Sequence, residues 1–191
     1  MKNIYFIITI AIFFIAVSAK AQQAGTFTDS RDDKVYKTVT IGTQTWMAEN
    51  LAFKVSNFCW AYDNIAINVA RYGYLYNWET AKNVCPSGWH LPSNVEWSTL
   101  INYAGSDYFS YKKLLSTTDW YEGEKGTDNY GFTALPGGHY IGFEFDSAIG
   151  SMGFWWSSTE IDATDAYSEV NLEPHNNRKD EGCSVRCIRD L

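Results

Sequence analysis

Hydrophobic positions along the chain fall into three patterns: one unbroken apolar run, a helical period, and short runs broken by Gly, Asp and Asn. The unbroken run, Ile4 to Val17, follows Lys2 and precedes the small-residue pattern Ala19-Lys20-Ala21, the layout of a signal peptide. As a helix its 14 residues span about 21 Å, short of the ~30 Å hydrocarbon core of a membrane, so cleavage after Ala21 is expected rather than retention as an anchor. Gln22 and Gln23 stand where a bacterial lipoprotein carries its cysteine, and an exported chain without a lipid anchor follows. A polar leader then runs from Gln22 to Asp33, residues 22–28 lying ahead of a single domain over 29–191.

In VYKTVTIGTQTWMAENL the β-branched residues alternate up to Ile41, and Gly42-Thr43 supplies a tight turn, which predicts a hairpin. The stretch from Asn57 to Val69 has no period and reads as a loop. Asn77 can cap a short helix from Trp78 to about Asn83, ended by Cys85-Pro86. The helical period is clearest in WHLPSNVEWSTLINYAG. Ser93 and Glu96 have capping-box spacing, Pro92 and Trp97 hold the staple positions, and Trp97, Leu100, Ile101 and Ala104 share one face before Gly105, predicting a helix over Asn94–Ala104. Beyond Ser110 the runs YGFTALPGG, GFEF, GFWWSST and CSVRCIRDL read as short strands between long loops. Two short helices and a small, loop-rich, mainly antiparallel sheet make an α+β domain.

Composition adds one feature, 17% aromatic residues with 8 Trp, 13 Tyr and 11 Phe. Trp and Tyr are mostly buried when abundant, so aromatic packing between loops is the first reading, and an exposed sugar-stacking platform the second. Without the signal-peptide segment, residues 1–21, the chain has 13 basic residues against 22 acidic, a formal charge of −9. Phosphate binding needs clustered Lys and Arg, so a nucleic-acid partner is excluded.

Six segments carry a resemblance: VYKTVTIGTQTWMAENLAF, RYGYLYNWETA, CPSGWHLPSNVEWSTL, DNYGFTALPGG, GFWWSSTE and SVRCIRD. In this order, from about Asp29 to Asp190, they resemble the Fibrobacter succinogenes major paralogous domain family of secreted or surface proteins, which is similar to the C-type lectin-like fold. The resemblance implies a loop-rich α+β domain whose termini meet in one sheet, and it implies no catalytic residues. The helix motif and closing strand are also similar to those of formylglycine-generating proteins.

Four cysteines, Cys59, Cys85, Cys183 and Cys187, allow three connectivities in an oxidising compartment. On one final strand Cys183 and Cys187 would lie ~13 Å apart, too far to pair. The resemblance implies Cys85 with Cys187. It leaves Cys59 with Cys183, because many family members have a further cysteine soon after Cys59 and lack Cys183. A zinc site is not supported by this spacing. A formylglycine-type oxidase would need a close pair of free thiols, and both candidates are taken up by these bridges.

Among the histidines, His90 lies inside the helix motif and reads as packed or capping, while His139 follows Gly137-Gly138 on a turn. Glu96 reads as a backbone cap, and Gly150-Ser151-Met152-Gly153 lacks the spacing of a nucleophile elbow. Glu173-Pro174-His175-Asn176-Asn177 looks like the Glu-Pro-Asn signature of calcium-dependent lectins, in which a carboxylate and amides beside a cis proline coordinate Ca²⁺. His175 replaces the key Asn, so a polar surface loop is the reading here, as it is for Glu160, Asp162 and Asp165. No catalytic residue, cofactor or metal is assigned.

The expectation is a secreted, non-enzymatic, C-type-lectin-like binding module for an extracellular glycan, polymer or protein, with no membrane insertion after signal cleavage. A glycan-acting enzyme with an unidentified carboxylate pair and a structural surface protein are the alternatives. The ligand surface is placed on the loops between Asp107 and Arg178, with Trp120, Tyr121, His139, Tyr140, Glu173, His175 and Asn176 as contacts. Trp120 and Tyr121 lead, because Asp119, Glu122 and Gly123 flank them as in a solvated turn.

Overall fold

The computed structural model describes residues 23–105, 107, 109–146 and 148–190. The signal-peptide segment and its cleavage site lie outside these residues.

The predicted hairpin forms as β2 (Lys34–Ile41) and β3 (Gln44–Met47), with Gly42 at φ 63° in the turn. The stretch expected as a polar leader is in fact strand β1 (Gln23–Asp29), paired antiparallel with β2 over its whole length. Its residues are mostly exposed at the sheet edge, so it needs no apolar alternation and shows none. The expected loop after Asn57 is likewise structured. It holds β4 (Cys59–Trp60), a 3-10 turn at Tyr62–Asn64 and helix α1 (Ala66–Tyr72). Helix α1 buries none of its residues, which is why no helical period marks it.

The two predicted helices are present. Asn77 caps α2 (Trp78–Val84), its side chain accepting from Thr80 N–H at 3.0 Å. Helix α3 (Asn94–Ala104) begins with the full Ser93/Glu96 capping box and buries Trp97, Leu100 and Ala104.

The remaining strands are β5 (Leu75–Tyr76), β6 (Trp89–His90), β7 (Tyr140–Ile141), β8 (Glu144–Phe145), β9 (Phe154–Glu160), β10 (Asp165–Val170), β11 (Glu173–Arg178), β12 (Cys183–Ser184) and β13 (Ile188–Arg189). One antiparallel sheet runs β1-β2-β3-β13-β6 and a second runs β11-β10-β9-β12-β5-β4, while β7-β8 form a separate hairpin. Only β9 and β12 pair in parallel in the second sheet. The fold is α+β, with three α-helices among the described residues and mainly antiparallel sheets.

Successive strand residues point to opposite faces, and the sequence uses this twice. Trp46 and Trp155 enter a core with Trp97, Leu100, Trp120, Phe132 and Ile188, whereas their neighbours Met47 and Trp156 enter one with Tyr36, Tyr76, Trp78 and Val185. Seven of the eight Trp are buried, so aromatic content is chiefly core packing. Arg186, fully buried, binds the cores together. It donates from Nε and Nη2 to Asn50 Oδ1 at 3.0 and 2.8 Å and from Nη1 to the Phe132 carbonyl at 2.6 Å, and Trp155 Nε1 donates to the same Asn50 oxygen at 2.9 Å.

Cys85 and Cys187 form a disulfide, tying the end of α2 to the chain just before β13. The second expected bridge is absent, and Cys59 and Cys183 are free thiols. Both lie opposite Tyr76, on either side of β5, so they are two strand spacings apart, about 9–10 Å, beyond disulfide reach. Nor do Cys183 and Cys187 share a strand: β12 belongs to one sheet and the chain has crossed to the other by β13.

Candidate functional site

The surface around Tyr121 is built on a turn at Asp119, whose φ of 74° is left-handed. The Asp119 carboxylate pairs with Arg71 of α1. Beyond this turn Trp120 and Tyr121 part. Trp120 is 3% exposed and donates Nε1–H to the Ala134 carbonyl at 3.0 Å, so it belongs to the core and its placement in solvent is corrected. Its polar neighbours mark an exposed turn, but the indole points inward from it.

Tyr121 is 60% exposed and its backbone N–H donates to Gly150 O at 2.7 Å. A Cβ on Gly150 would meet the adjacent ring atoms Cε1, Cζ and Cδ1 at 2.7, 3.0 and 3.2 Å, the spacing of a point above the ring face rather than off its edge. Gly150, at φ 86°, is therefore the seat for one face of the ring, and the 60% exposure of Tyr121 leaves the other face open. Ile67, Arg71, Tyr72, Asp119, Tyr121 and Ile149 line a groove of ≈ 620 Å³ here. Of the twelve large apolar side chains exposed among the described residues, seven come from residues 58–67 and 121–152. These two segments pack together: Trp60 stacks on Tyr140 at 4.2 Å and 19°, and Tyr62 packs on Phe145 at 5.2 Å.

Three other predicted contacts, His139, His175 and Asn176, converge in a separate, polar pocket of ≈ 330 Å³ that also takes in Asp146, Asn177 and Glu181. His139 is not on an open turn; it is 2% exposed and stacked on Phe154 at 4.5 Å and 17°. Burial, with the nearby His175, pulls its pKa down to about 4, so the ring is neutral. Asp146 is pushed up by burial, against backbone N–H donors from His139 and Ala148 at 3.0 and 3.3 Å. Tyr140 is half-buried against Trp60 and lines neither depression.

The stretch expected as a loop around Pro174 is strand β11, at the edge of the six-stranded sheet, and no peptide bond among the described residues is cis. An edge strand tolerates Pro because no ladder bond is required of its N–H. His175 stands where the signature has its key Asn and the Pro174 peptide is trans, so the lectin-like calcium cradle is not formed. Among the described residues no three His, Cys, Asp or Glu side chains are placed to share a metal ion. In the other acidic stretch Asp162 caps its own turn, accepting from Thr164 and Asp165 N–H at 2.7 and 2.9 Å, and Glu160 pairs with Lys179. His90 bridges Asp190 and Glu96 at 2.6 and 2.9 Å on the surface, and Glu96 acts as the cap expected of it.

Sequence reading did not find Arg71, Gly150, Asp146, Asn177 or Glu181. The first lies on the helix without a period, and the others act only through long-range convergence. A glycine between two short apolar runs was the one local sign for Gly150. Also unmarked was Glu169 on β10: it is 1% exposed, its Oε2 has no hydrogen-bond partner among the described residues, and burial pushes its pKa up to about 8.

Two sheets sharing one closing segment, with a capped helix against them and depressions built from loops, define an α+β domain whose framework is separable from its open surface. The chain belongs to the Fibrobacter succinogenes major domain family, whose model matches residues 39–189. The match begins within β2, runs to the end of β13 and leaves out β1. No curated protein and no solved structure matches the chain. No helix among the described residues is long and apolar enough to cross a membrane.

Proposed function

We propose that the protein is a non-enzymatic binding module of C-type-lectin-like fold, exported to the cell exterior, that holds an extracellular glycan, polymer or protein in the Tyr121 groove. The observation that carries this reading is the groove itself. An aromatic ring lies with one face on Gly150 and the other open, beside the Arg71–Asp119 ion pair. A ring face stacks on the apolar face of a sugar, and charged groups at its rim take up hydroxyls, whereas a core aromatic has no reason to be left open. The framework motifs are occupied elsewhere: Asn50, Trp155 and Arg186 are buried in one network, and Glu96 caps α3.

Glycan and cell-wall polymer arrays probed with wild type, Tyr121→Ala and Trp120→Ala test the proposal. Tyr121→Ala should lose binding with the melting temperature held within a degree or two. Trp120→Ala should unfold at markedly lower temperature, the cost of emptying a buried indole being about 3–5 kcal/mol. Binding untouched by Tyr121→Ala defeats the groove as the ligand site. Turnover of a glycan by the wild type would move the assignment to an enzyme.

A further inference from the structure

The His139 pocket shares no lining residue with the Tyr121 groove, and its hydrogen bonds fix which atoms are free. Ser168 Oγ donates to Asn177 Oδ1 at 2.6 Å, which turns the Asn177 amide nitrogen the other way. That nitrogen donates to Glu181 Oε2 at 2.8 Å and faces His139 Nε2 at 3.2 Å. Nε2 therefore accepts, and in a neutral ring the proton sits on Nδ1. Among the described residues nothing bonds to Nδ1, although the His139 side chain is 3% exposed and lines the pocket. The stack on Phe154 holds the ring in this orientation.

Two acceptors stand with this donor. Asp146 uses Oδ1 for the His139 and Ala148 N–H groups, and Glu181 uses Oε2 for Asn177 and the Arg178 N–H, so among the described residues Oδ2 of one and Oε1 of the other have no partner. Arg178, the cation lining the pocket, is held outward by Asp180 at 3.1 and 2.9 Å.

From this set we infer that the pocket is a subsite for a hexosamine with a free amino group. A ring hydroxyl accepts from Nδ1–H, and Asp146 and Glu181 take the ammonium. A lysine side chain would satisfy the carboxylates but offer the His139 Nδ1–H no acceptor, and a neutral sugar would leave Asp146 and Glu181 without a cation. The volume of ≈ 330 Å³ admits one pyranose.

The test is titration of the folded protein with a glucosamine tetramer and, in parallel, its N-acetylated counterpart, followed by NMR of the His139 and His175 ring protons. The free-amine oligomer should shift both rings. The N-acetylated one should bind at least about tenfold more weakly, as should the free amine to Glu181→Gln, the scale of one lost charge-assisted hydrogen bond. The Tyr121 groove has no lining residue in common with this pocket, so shifts of the His139 and His175 rings report on the pocket itself. Unshifted His139 at saturating free-amine oligomer, equal affinity for the two oligomers, or displacement of the sugar by trilysine overturns the inference. Should Glu181→Gln fail to fold, the wild-type ring shifts and the comparison of oligomers decide alone.

Discussion

Single residues show how differently this fold treats buried charge. Arg186 is fully buried, and burial pulls its pKa down to about 9, against the carboxylates Glu49 and Asp128, but every guanidinium nitrogen has an acceptor. Glu169 is as deeply buried and has no such partners. Its folded pKa, about 8, lies above the ordinary 4.5, so between these values the folded state keeps a proton that the unfolded state has lost. Stability from this group therefore falls as pH rises through that window, by up to about 1.4 kcal/mol per pH unit, and levels off above it. At pH 7 the cost is of order 3 kcal/mol. Glu169→Gln removes the titration, so its melting temperature should gain on wild type steadily from pH 5 to pH 8 and match it near pH 4. Parallel curves for the two proteins would mean that Glu169 is hydrated or paired in solution.

At the scale of elements, α3 carries the sharpest local signal because its start and its packing face are both written in neighbouring residues. Glu96 accepts from Ser93 N–H and Oγ–H, each at 2.7 Å, while Ser93 Oγ accepts from Glu96 N–H. Ser93→Ala should cost about 1 kcal/mol in denaturant unfolding, with an unchanged m-value. A loss under 0.3 kcal/mol would mean that other contacts hold the helix start on their own. The hairpin of β2 and β3 was legible for the same reason, an alternation next to a turn. Elements that bury no stripe were not legible: α1 has no fully buried residue, β1 lies exposed at an edge, and β11 reads as a polar loop because four of its six residues face solvent before Asn177 turns in. The candidate contacts divide for a related reason. Tyr121, His139, His175 and Asn176 do line depressions, but the inward turn of Trp120 depends on the backbone at Asp119, and the partners of His139 come from residues 38 and 42 positions away.

The molecule as a whole is closed by one covalent bond and one short stretch of chain. The Cys85–Cys187 bridge spans 102 residues, worth about 4–5 kcal/mol in the chain-entropy model. Peptide mapping should find this bridge alone. Cys59, half-buried, should react slowly with iodoacetamide in the native state, and Cys183, with its thiol pKa pushed far up by complete burial, only on unfolding. Recovery of a Cys59–Cys183 peptide would show that β4 or β12 can leave β5. Between them, β12 lies inside one sheet and β13 inside the other, six residues apart at their outer limits. Each is flanked on both sides by strands made earlier, so neither sheet can be completed while residues 183–189 are still within the ribosome. Native structure therefore comes after synthesis of the domain, in one late step rather than progressively from its N-terminal side. A chain threaded through a membrane before that moment has no finished domain to unravel on the way.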